Sequence, residues 1–246
     1  MVTGGGSGIG EAIALKLAEA GYAVTIGDIG SAGAQVAEKI TANGGRAQFV
    51  HTDVTEEDSV RGLMEGAASI FGGLDVLVAN AGVPEVKAPL HELDLAKWQH
   101  VIDVNLTGVA VCNKWAVATI LESRRRNSEP RPASVINMAS ILAHVGQANS
   151  NAYSAAKAAV ANFTRSAALT YAREGIRFNA VSPGYVDTPL LARLPEETRS
   201  QMISRQPIGR LLRPEEIANV VLFLAGDSSS ALTGSIINAD GGYTAV

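Results

Sequence analysis

The chain has 246 residues, of which 47% are hydrophobic and 18% charged, and its formal net charge at pH 7 is -4. This length and apolar content predict one domain, over residues 1–246, with a substantial core, and argue against two unrelated domains. Acidic and basic residues are mixed along the chain, so no broad positive field favours nucleic acid as a partner.

Cysteine usage and hydropathy give expectations about the compartment. Cys112 is the only cysteine, so it cannot form an internal disulfide, and we interpret it as a buried small hydrophobe. The N-terminus has no cationic segment followed by an apolar one, and we find no apolar run of the roughly 18 residues that a membrane span needs. We expect a cytoplasmic protein that does not bind membranes.

Helical and strand patterns alternate along the chain, which is typical of a parallel sheet flanked by helices. A first helix, with Ile9, Ile13 and Leu17 on one face, is expected to end near Gly21. Further helices are expected over about 32–43, 56–71, 95–122 (in one piece or two), 153–174 and 215–225. Strands are expected over 23–28, 47–52, 74–80, 134–140, 176–183 and about 235–238.

One run, Arg124 to Pro132 (RRRNSEPRP), is strongly biased in composition. We interpret it as a solvated loop whose arginines interact with the negative end of the preceding helix, rather than as a binding patch.

The chain begins MVTGGGSGIG, which fits either a flexible tail or a turn that binds phosphate. The pattern T-G-x-x-x-G-x-G is met by Thr3, Gly4, Gly8 and Gly10, just before the first predicted helix. In such a turn the glycines let the backbone approach a diphosphate, and the free N–H groups of the helix bind it. Alone the pattern is weak evidence, because glycine-rich tails are common.

Asp28 strengthens the second interpretation, since it ends the next predicted strand, 18 residues after Gly10. A carboxylate there can accept hydrogen bonds from both hydroxyls of an adenosine ribose, and it would repel the 2′-phosphate of NADP. The following residues, Ile29 and Gly30, supply no cation. The pattern favours NAD, although without the glycine turn Asp28 would be an ordinary turn residue.

Two further strand ends carry polar or small residues. Asp53 and Val54 follow the third predicted strand, and the triplet Asn80–Ala81–Gly82 follows the fourth. Ligands of open parallel sheets bind beyond the carboxyl ends of the strands, so these residues are expected near a cofactor. Each alone also fits a simple turn.

The motif YSAAK places Tyr153 and Lys157 one helical turn apart, on the same face. A phenol titrates near 10, so proton exchange near neutrality needs its pKa lowered by roughly three units, about 4 kcal/mol. A nearby ammonium, assisted by a cationic nicotinamide, has the right sign for this. Ser140, 13 residues upstream at the end of a predicted strand, could donate a hydrogen bond to a substrate oxygen, or simply cap a turn.

Together these elements resemble the single-domain branch of the short-chain dehydrogenase/reductase family, in order and spacing from end to end. The elements are Thr3 to Gly10, Asp28, Asn80–Ala81–Gly82, Asn105, Ser140, Tyr153 with Lys157, and Pro183–Gly184. The resemblance implies an α/β fold: a doubly wound parallel sheet (Rossmann fold) of about seven strands with helices on both faces.

The resemblance also implies roles. Tyr153 would be the general acid or base, Ser140 would polarise the reacting oxygen, and Lys157 would bind the nicotinamide ribose and lower the pKa of Tyr153. Asn105 would hold a water that links Lys157 to solvent. The predicted cofactor-binding positions are Gly4, Ser7, Gly8, Ile9, Gly10, Asp28, Asp53, Val54, Asn80, Ala81, Gly82, Tyr153, Lys157, Pro183, Gly184, Val186 and Thr188.

The predicted reaction is NAD-dependent interconversion of a secondary alcohol and a ketone. The substrate is expected between the cofactor and the segment 185–214, in a mostly apolar pocket. Candidate wall residues, none with an individual role, are Val83, Leu142, His144, Gln147, Tyr185, Leu190, Leu191, Leu194, Met202 and Ile203. Two alternatives stay open: an NADPH-dependent 3-oxoacyl-carrier-protein reductase, and a protein that binds NAD without turnover.

Three further expectations concern metal binding, assembly and the first strand. No cluster of His, Cys or acidic residues has the spacing of a metal site, so no metal is predicted. The resemblance implies a homotetramer, with a dimer as the alternative. Only Met1 and Val2 precede Thr3, so either the central first strand is unusually short or residues that belong upstream are missing.

Overall fold

Seven parallel strands form the central sheet in the computed structural model, which describes residues 1–126 and 131–245. Their order is β3-β2-β1-β4-β5-β6-β7, which confirms the predicted doubly wound α/β fold. The strands are β1 (Val2–Thr3), β2 (Ala23–Asp28), β3 (Arg46–His51), β4 (Val76–Ala79), β5 (Ala133–Met138), β6 (Ile176–Pro183) and β7 (Ile236–Ala239).

Helices cover both faces of the sheet, as a parallel sheet with buried, apolar strands requires. They are α1 (Gly8–Glu19), α2 (Ala32–Ala42), α3 (Glu57–Phe71), α4 (Leu95–Ile102), α5 (Gly108–Arg126), α6 (Ala152–Tyr171), α7 (Pro189–Ala192), α8 (Glu196–Ser204) and α9 (Pro214–Ala225). Buried residues of α3, α5 and α6 form one hydrophobic core, and those of α1, α2 and α9 form the other.

The strand order reverses between β1 and β4, so a crevice opens beyond their carboxyl ends. One side chain joins the two loops that border this crevice. The Thr3 hydroxyl accepts hydrogen bonds from the backbone N–H groups of Asn80 and Ala81, each at 3.1 Å. The glycine-rich turn therefore lies beside the Asn80–Ala81–Gly82 loop.

Strand β1 lies in the middle of the sheet, as expected, although it is only two residues long. Val2 is fully buried and pairs with Ile26 of β2 and Val78 of β4. The amino group of Met1 continues the pairing by donating a hydrogen bond to the Val76 carbonyl oxygen at 2.8 Å.

The long middle helix consists of two pieces, α4 and α5, joined by a π-helical turn over Asp103–Thr107. By length and hydropathy alone, the range Leu95–Arg125 could cross a membrane, in contrast to the expectation that no run is long enough. Packing inside the domain accounts for the apolar residues of this range, since Val109 and Cys112 on α5 are buried in the hydrophobic core. Burial raises the pKa of the Cys112 thiol to about 12, consistent with the interpretation of this residue as a small hydrophobe.

Two sequence interpretations need correction here. Among the described residues, the Arg124 guanidinium donates to the backbone oxygens of Glu174, Arg131 and Gly175 and not to the carbonyls of its own helix, because the segment that follows α6 lies beside it. Residues 127–130 of the biased run lie outside the described residues. The segment 185–214 contains the short helices α7 and α8, which the sequence pattern did not predict because α8 is almost entirely polar.

Candidate active site

A cavity of about 320 Å³ opens beyond the carboxyl ends of β4, β5 and β6. It brings together residues that are far apart in the sequence. The predicted site residues that line it are Ile9, Asn80, Gly82, Asn105, Ser140, Tyr153, Lys157, Pro183, Gly184, Val186 and Thr188. All four predicted catalytic residues are in this set.

Tyr153 and Lys157 lie in the first two turns of α6 and share one face of it. The Lys157 ammonium is 5.5 Å from the centre of the Tyr153 ring. It is buried, and its Nζ atom donates a hydrogen bond to the Met138 carbonyl oxygen at 2.7 Å. The Met138 carbonyl at the end of β5 therefore holds the Lys157 ammonium close to the Tyr153 ring.

Ser140 also follows β5, two residues after Met138. Its hydroxyl oxygen accepts a hydrogen bond from the Leu142 N–H at 3.2 Å, so it caps the short helical turn that begins there. The hydroxyl hydrogen is not needed for this cap. Ser140 thus combines the turn-capping role with a donor that faces the cavity.

The pKa of the Tyr153 phenol is raised, chiefly by burial, and this differs from the expected direction. A hydrogen bond with Ser140 opposes the rise, while the negative charge of Glu85 adds to it. Burial also lowers the pKa of Lys157 to about 8. The physical reason for the correction is that desolvation of the phenolate outweighs the stabilisation that the protein supplies.

Asn105 lies in the π-helical turn between α4 and α5 and is fully buried. Its side-chain amide donates to the carbonyl oxygens of Val83 and Val101, at 3.0 and 3.1 Å, and its Oδ1 atom accepts from the Val83 N–H at 3.2 Å. Both amide hydrogens are therefore occupied. A water that links Asn105 to Lys157 has to use an oxygen acceptor of Asn105.

The glycine-rich turn between β1 and α1 requires glycine at two positions, Gly4 and Gly10. Gly4 has a φ of +61°, which favours glycine. A Cβ atom at Gly10 would lie 2.0 Å from the Gly4 carbonyl oxygen, so the helix contacts the turn there without any gap. Gly8 lies beside Thr188, which brings the start of α1 to the segment after β6.

This turn fits a dinucleotide diphosphate. The first four N–H groups of a helix have no partner within it, and the Ser7 hydroxyl makes no capping hydrogen bond in the described part of the chain. The N-terminal end of α1 is thus free to bind an anion. Asp28 closes the far side, since its two carboxylate oxygens accept hydrogen bonds from the N–H groups of Gly6 and Gly30, each at 2.8 Å.

Apart from Gly4, Ser7, Gly8 and Gly10 in the glycine-rich turn, four predicted cofactor positions lie outside the cavity lining: Asp28, Asp53, Val54 and Ala81. The Asp53 carboxylate accepts hydrogen bonds from the hydroxyl and the backbone N–H of Thr55, and these bonds lower the pKa of Asp53. Asp53 therefore stabilises a local turn. Val54 is buried in the core. Asp28 and Ala81 lie towards the glycine-rich turn. The side chain of Asn80, which does line the cavity, donates to the carbonyls of Thr3 and Gly4 and so holds that turn in place.

The candidate wall residues divide into two groups. Those that line the cavity are Val83, Leu142, Gln147, Tyr185, Leu190, Leu191 and Met202. His144, Leu194 and Ile203 are outside the cavity lining. His144 is exposed, and its ring lies 3.0 Å from the hydroxyl of buried Ser182 in β6.

Sequence reasoning missed Glu85, which lines the cavity and caps α6. Its carboxylate accepts hydrogen bonds from the backbone N–H groups of Ala152 and Tyr153, and from the Ser150 hydroxyl. The sequence carried no signal for this role, because Asn151 immediately before α6 is itself a favoured N-cap residue. In the structure Asn151 makes no side-chain cap, and Glu85 caps the helix instead.

The comparison with protein families decides the identity. The family model described as enoyl-(acyl carrier protein) reductase matches residues 4–244, which is nearly the whole chain. The chain belongs to the short-chain dehydrogenase/reductase family. This confirms the resemblance of the sequence motifs, and it makes the protein an oxidoreductase with a Rossmann dinucleotide-binding fold.

Curated relatives in this family include dehydrogenases of ring alcohols. The chain is 57% identical to cis-4-hydroxycyclohexanecarboxylate dehydrogenase of Sinomonas cyclohexanicum, over 100% of this chain and 96% of the relative. It is 40% identical to cyclohexanol dehydrogenase of Acinetobacter sp. strain SE19, over 99% of this chain and 94% of the relative. A 3-oxoacyl-[acyl-carrier-protein] reductase of Thermotoga maritima is 37% identical, over 98% and 96%.

Solved members of the family have the same fold. A short-chain type dehydrogenase/reductase from Mycobacterium marinum superposes with a TM-score of 0.92 at 35% identity, covering 100% of this chain and 94% of the other. A candidate NAD(P) dependent gluconate 5-dehydrogenase from Beutenbergia cavernae, which carries NADP at low occupancy, has a TM-score of 0.89 at 34% identity, covering 100% and 96%. The family thus includes a close structural neighbour with NADP bound.

Proposed function

We propose that this protein is an NAD-dependent dehydrogenase that interconverts a cyclic secondary alcohol and the corresponding ketone. The observation that carries the proposal is the meeting of Ser140, Tyr153 and Lys157 in one cavity whose remaining wall is mostly apolar. A hydroxyl donor, a phenol and a buried ammonium are the groups that proton transfer to or from an alcohol oxygen requires.

Asp28 supports NAD as the cofactor. Its carboxylate lies beside the glycine-rich turn, held by the N–H groups of Gly6 and Gly30, and each oxygen keeps a free lone pair for a ribose hydroxyl. The adjacent Ile29 is 65% exposed and apolar, so it offers no charge to a 2′-phosphate. A carboxylate at this position disfavours NADP.

When bound, NAD supplies the hydride acceptor at its nicotinamide ring. The chain's own residues handle the proton. In alcohol oxidation Ser140 holds the substrate oxygen, and the Tyr153 phenolate accepts its proton. Lys157, fixed by Met138, contributes the positive charge that favours the phenolate. The protein alone leaves the pKa of Tyr153 raised, and the positive charge of a bound nicotinamide would lower it.

The cavity wall supports a ring substrate. Val83, Leu142 and Leu191 present aliphatic surface. A carbocycle matches such a wall because burial of apolar area is the main source of its binding energy. The relatives that act on cyclohexanol and on hydroxycyclohexanecarboxylate point to the same class of substrate.

The alternative is a reductase of 3-oxoacyl groups on a carrier protein, using NADPH. It is favoured by the description of the family model and by the Thermotoga maritima relative. Asp28 opposes it for the reason given above. A protein that binds NAD without turnover would have no use for a phenol and an ammonium in one cavity. Assembly as a homotetramer and a cytoplasmic location stay predictions.

The test is a panel of secondary alcohols, open-chain and cyclic, incubated with NAD or NADP, with formation of reduced nicotinamide followed by absorbance. We expect oxidation of cyclohexanol-type substrates with a clear preference for NAD. A preference for NADP, or turnover of acyl-carrier substrates alone, would overturn the proposal.

A further inference from the structure

The loop after β4, residues 83–89, forms one wall of the cavity and is fixed at two points. Glu85 is hydrogen-bonded to the start of α6. Three residues later, the Ala88 N–H donates to the Asn149 carbonyl at 3.2 Å, and the Ala88 carbonyl accepts from the Asn151 side chain at 3.0 Å. The residues between these anchors are therefore held in a defined position.

Lys87 lies between the two anchors and lines the cavity. Within the described chain the ionisable side chains of the lining, apart from the phenols, are Glu85, Lys87 and Lys157. Lys157 is buried and bound to Met138, and Glu85 is bound to the catalytic helix. Lys87 is exposed and has neither an ion-pair nor a hydrogen-bond partner among the described residues.

We propose that Lys87 pairs with a carboxylate on the substrate, so that the physiological substrate is a cyclic secondary alcohol bearing a ring carboxylate. This inference rests on the proposed function and specifies its substrate class. The cavity then has three parts: proton-transfer groups at Ser140 and Tyr153, an apolar wall that contacts the ring, and a cation held at the fixed loop.

Electrostatics favour such a substrate at Lys87. The chain carries a net charge of -4, and the Glu85 carboxylate also lines the cavity. Lys157 offsets the Glu85 charge but is buried and bound to Met138, so Lys87 is the cation left to pair with a substrate carboxylate. A solvent-exposed ammonium and carboxylate contribute up to about 1 kcal/mol, which is a factor of about five in affinity.

The experiment compares two substrates, cis-4-hydroxycyclohexanecarboxylate and neutral cyclohexanol, with NAD. The variants are Lys87→Met, Lys87→Arg and the control Lys16→Met, which removes the same charge from an exposed site on α1. We expect Lys87→Met to raise KM for the carboxylate about fivefold, with kcat and the KM for cyclohexanol unchanged. Lys87→Arg should keep most of the carboxylate preference.

Competitive inhibition gives a readout that needs no turnover of the probe. Cyclohexanecarboxylate should inhibit the wild type more strongly than the neutral cyclohexanecarboxamide, and Lys87→Met should remove this difference. Added salt should weaken inhibition by the carboxylate only.

The outcomes separate the two proposals. If the wild type oxidises cyclohexanol and Lys87→Met changes both substrates equally or neither, the role of Lys87 is wrong while the proposed function stands. If Lys16→Met reproduces the effect, the cause is net charge and the role of Lys87 is again wrong. If the wild type oxidises neither ring alcohol, the proposed function fails and the inference with it.

Discussion

The Glu85 carboxylate accepts a hydrogen bond from the backbone N–H of Tyr153, with 3.2 Å between Oε2 and N. Glu85, which is one of the residues that line the cavity, therefore also caps the helix that carries the phenol. Its negative charge raises the pKa of that phenol. Position and acidity of Tyr153 are thus both linked to the loop after β4.

Replacing Glu85 by Gln should shift the pH dependence of alcohol oxidation. The reaction needs deprotonated Tyr153, and the negative charge of Glu85 raises the pKa of that residue. Its removal lowers this pKa, so the acidic limb of the profile of kcat/KM moves to lower pH. The matched control is Glu92→Gln, since Glu92 is exposed and does not cap α6. An acidic limb that stays in place would contradict the electrostatic role.

Changing Ile29 to Arg should increase the use of NADP without disturbing the turn. Ile29 is exposed, so the new guanidinium has room beside a 2′-phosphate. The Asp28 hydrogen bonds to Gly6 and Gly30 stay intact. We expect the ratio of kcat/KM for NADP over NAD to rise about tenfold, which is 1.4 kcal/mol. Adding Asp28→Asn should raise it further, and an unchanged ratio in both variants would rule out this cofactor geometry.

Gly10→Ala should abolish NAD binding or prevent folding. The added methyl group would lie 2.0 Å from the Gly4 carbonyl oxygen and 2.6 Å from the Asn80 amide nitrogen, so the turn has to move. Gly62→Ala on α3 is the control, because a Cβ there meets nothing within 4 Å and alanine favours a helix by about 1 kcal/mol. Thermal unfolding with and without NAD measures both effects. Normal NAD stabilisation of Gly10→Ala would contradict the role of this turn in NAD binding.

Thr164→Val should destabilise the protein by about 1–3 kcal/mol, because it leaves a buried donor without its partner. The Asn137 amide donates to the Thr164 hydroxyl at 3.0 Å and also pairs with Asn113, and all three side chains are buried. Thr170→Val on the same helix removes an exposed hydroxyl and should change the free energy of unfolding by less than about 0.5 kcal/mol. Urea unfolding provides the comparison, and equal effects would contradict the role of the buried network.

The sequence predicted features that depend on local spacing. The glycine-rich turn, the pairing of Tyr153 with Lys157 and the order of helices and strands all follow from periodicity and turn chemistry. It did not predict the π-helical turn at Asn105, because that turn is stabilised by the contact of Asn105 with Val83, a residue 22 positions away. Glu85 was missed for the same reason, since its partners begin 65 residues later.

The direction of the Tyr153 pKa could not be read from the sequence either. The motif places an ammonium near a phenol, but it does not show how deeply both groups are buried. Desolvation decides the sign, and it depends on the packing of β5, α6 and the loop after β4 around the two residues.

The most direct test is the rate of NADH formation from a cyclohexanol-type substrate by the wild type and by Tyr153→Phe, at saturating NAD. The phenylalanine keeps the ring and removes only the hydroxyl. We predict that kcat falls by about 100-fold or more while calorimetry shows that the variant still binds NAD. Undiminished turnover by Tyr153→Phe would contradict the account.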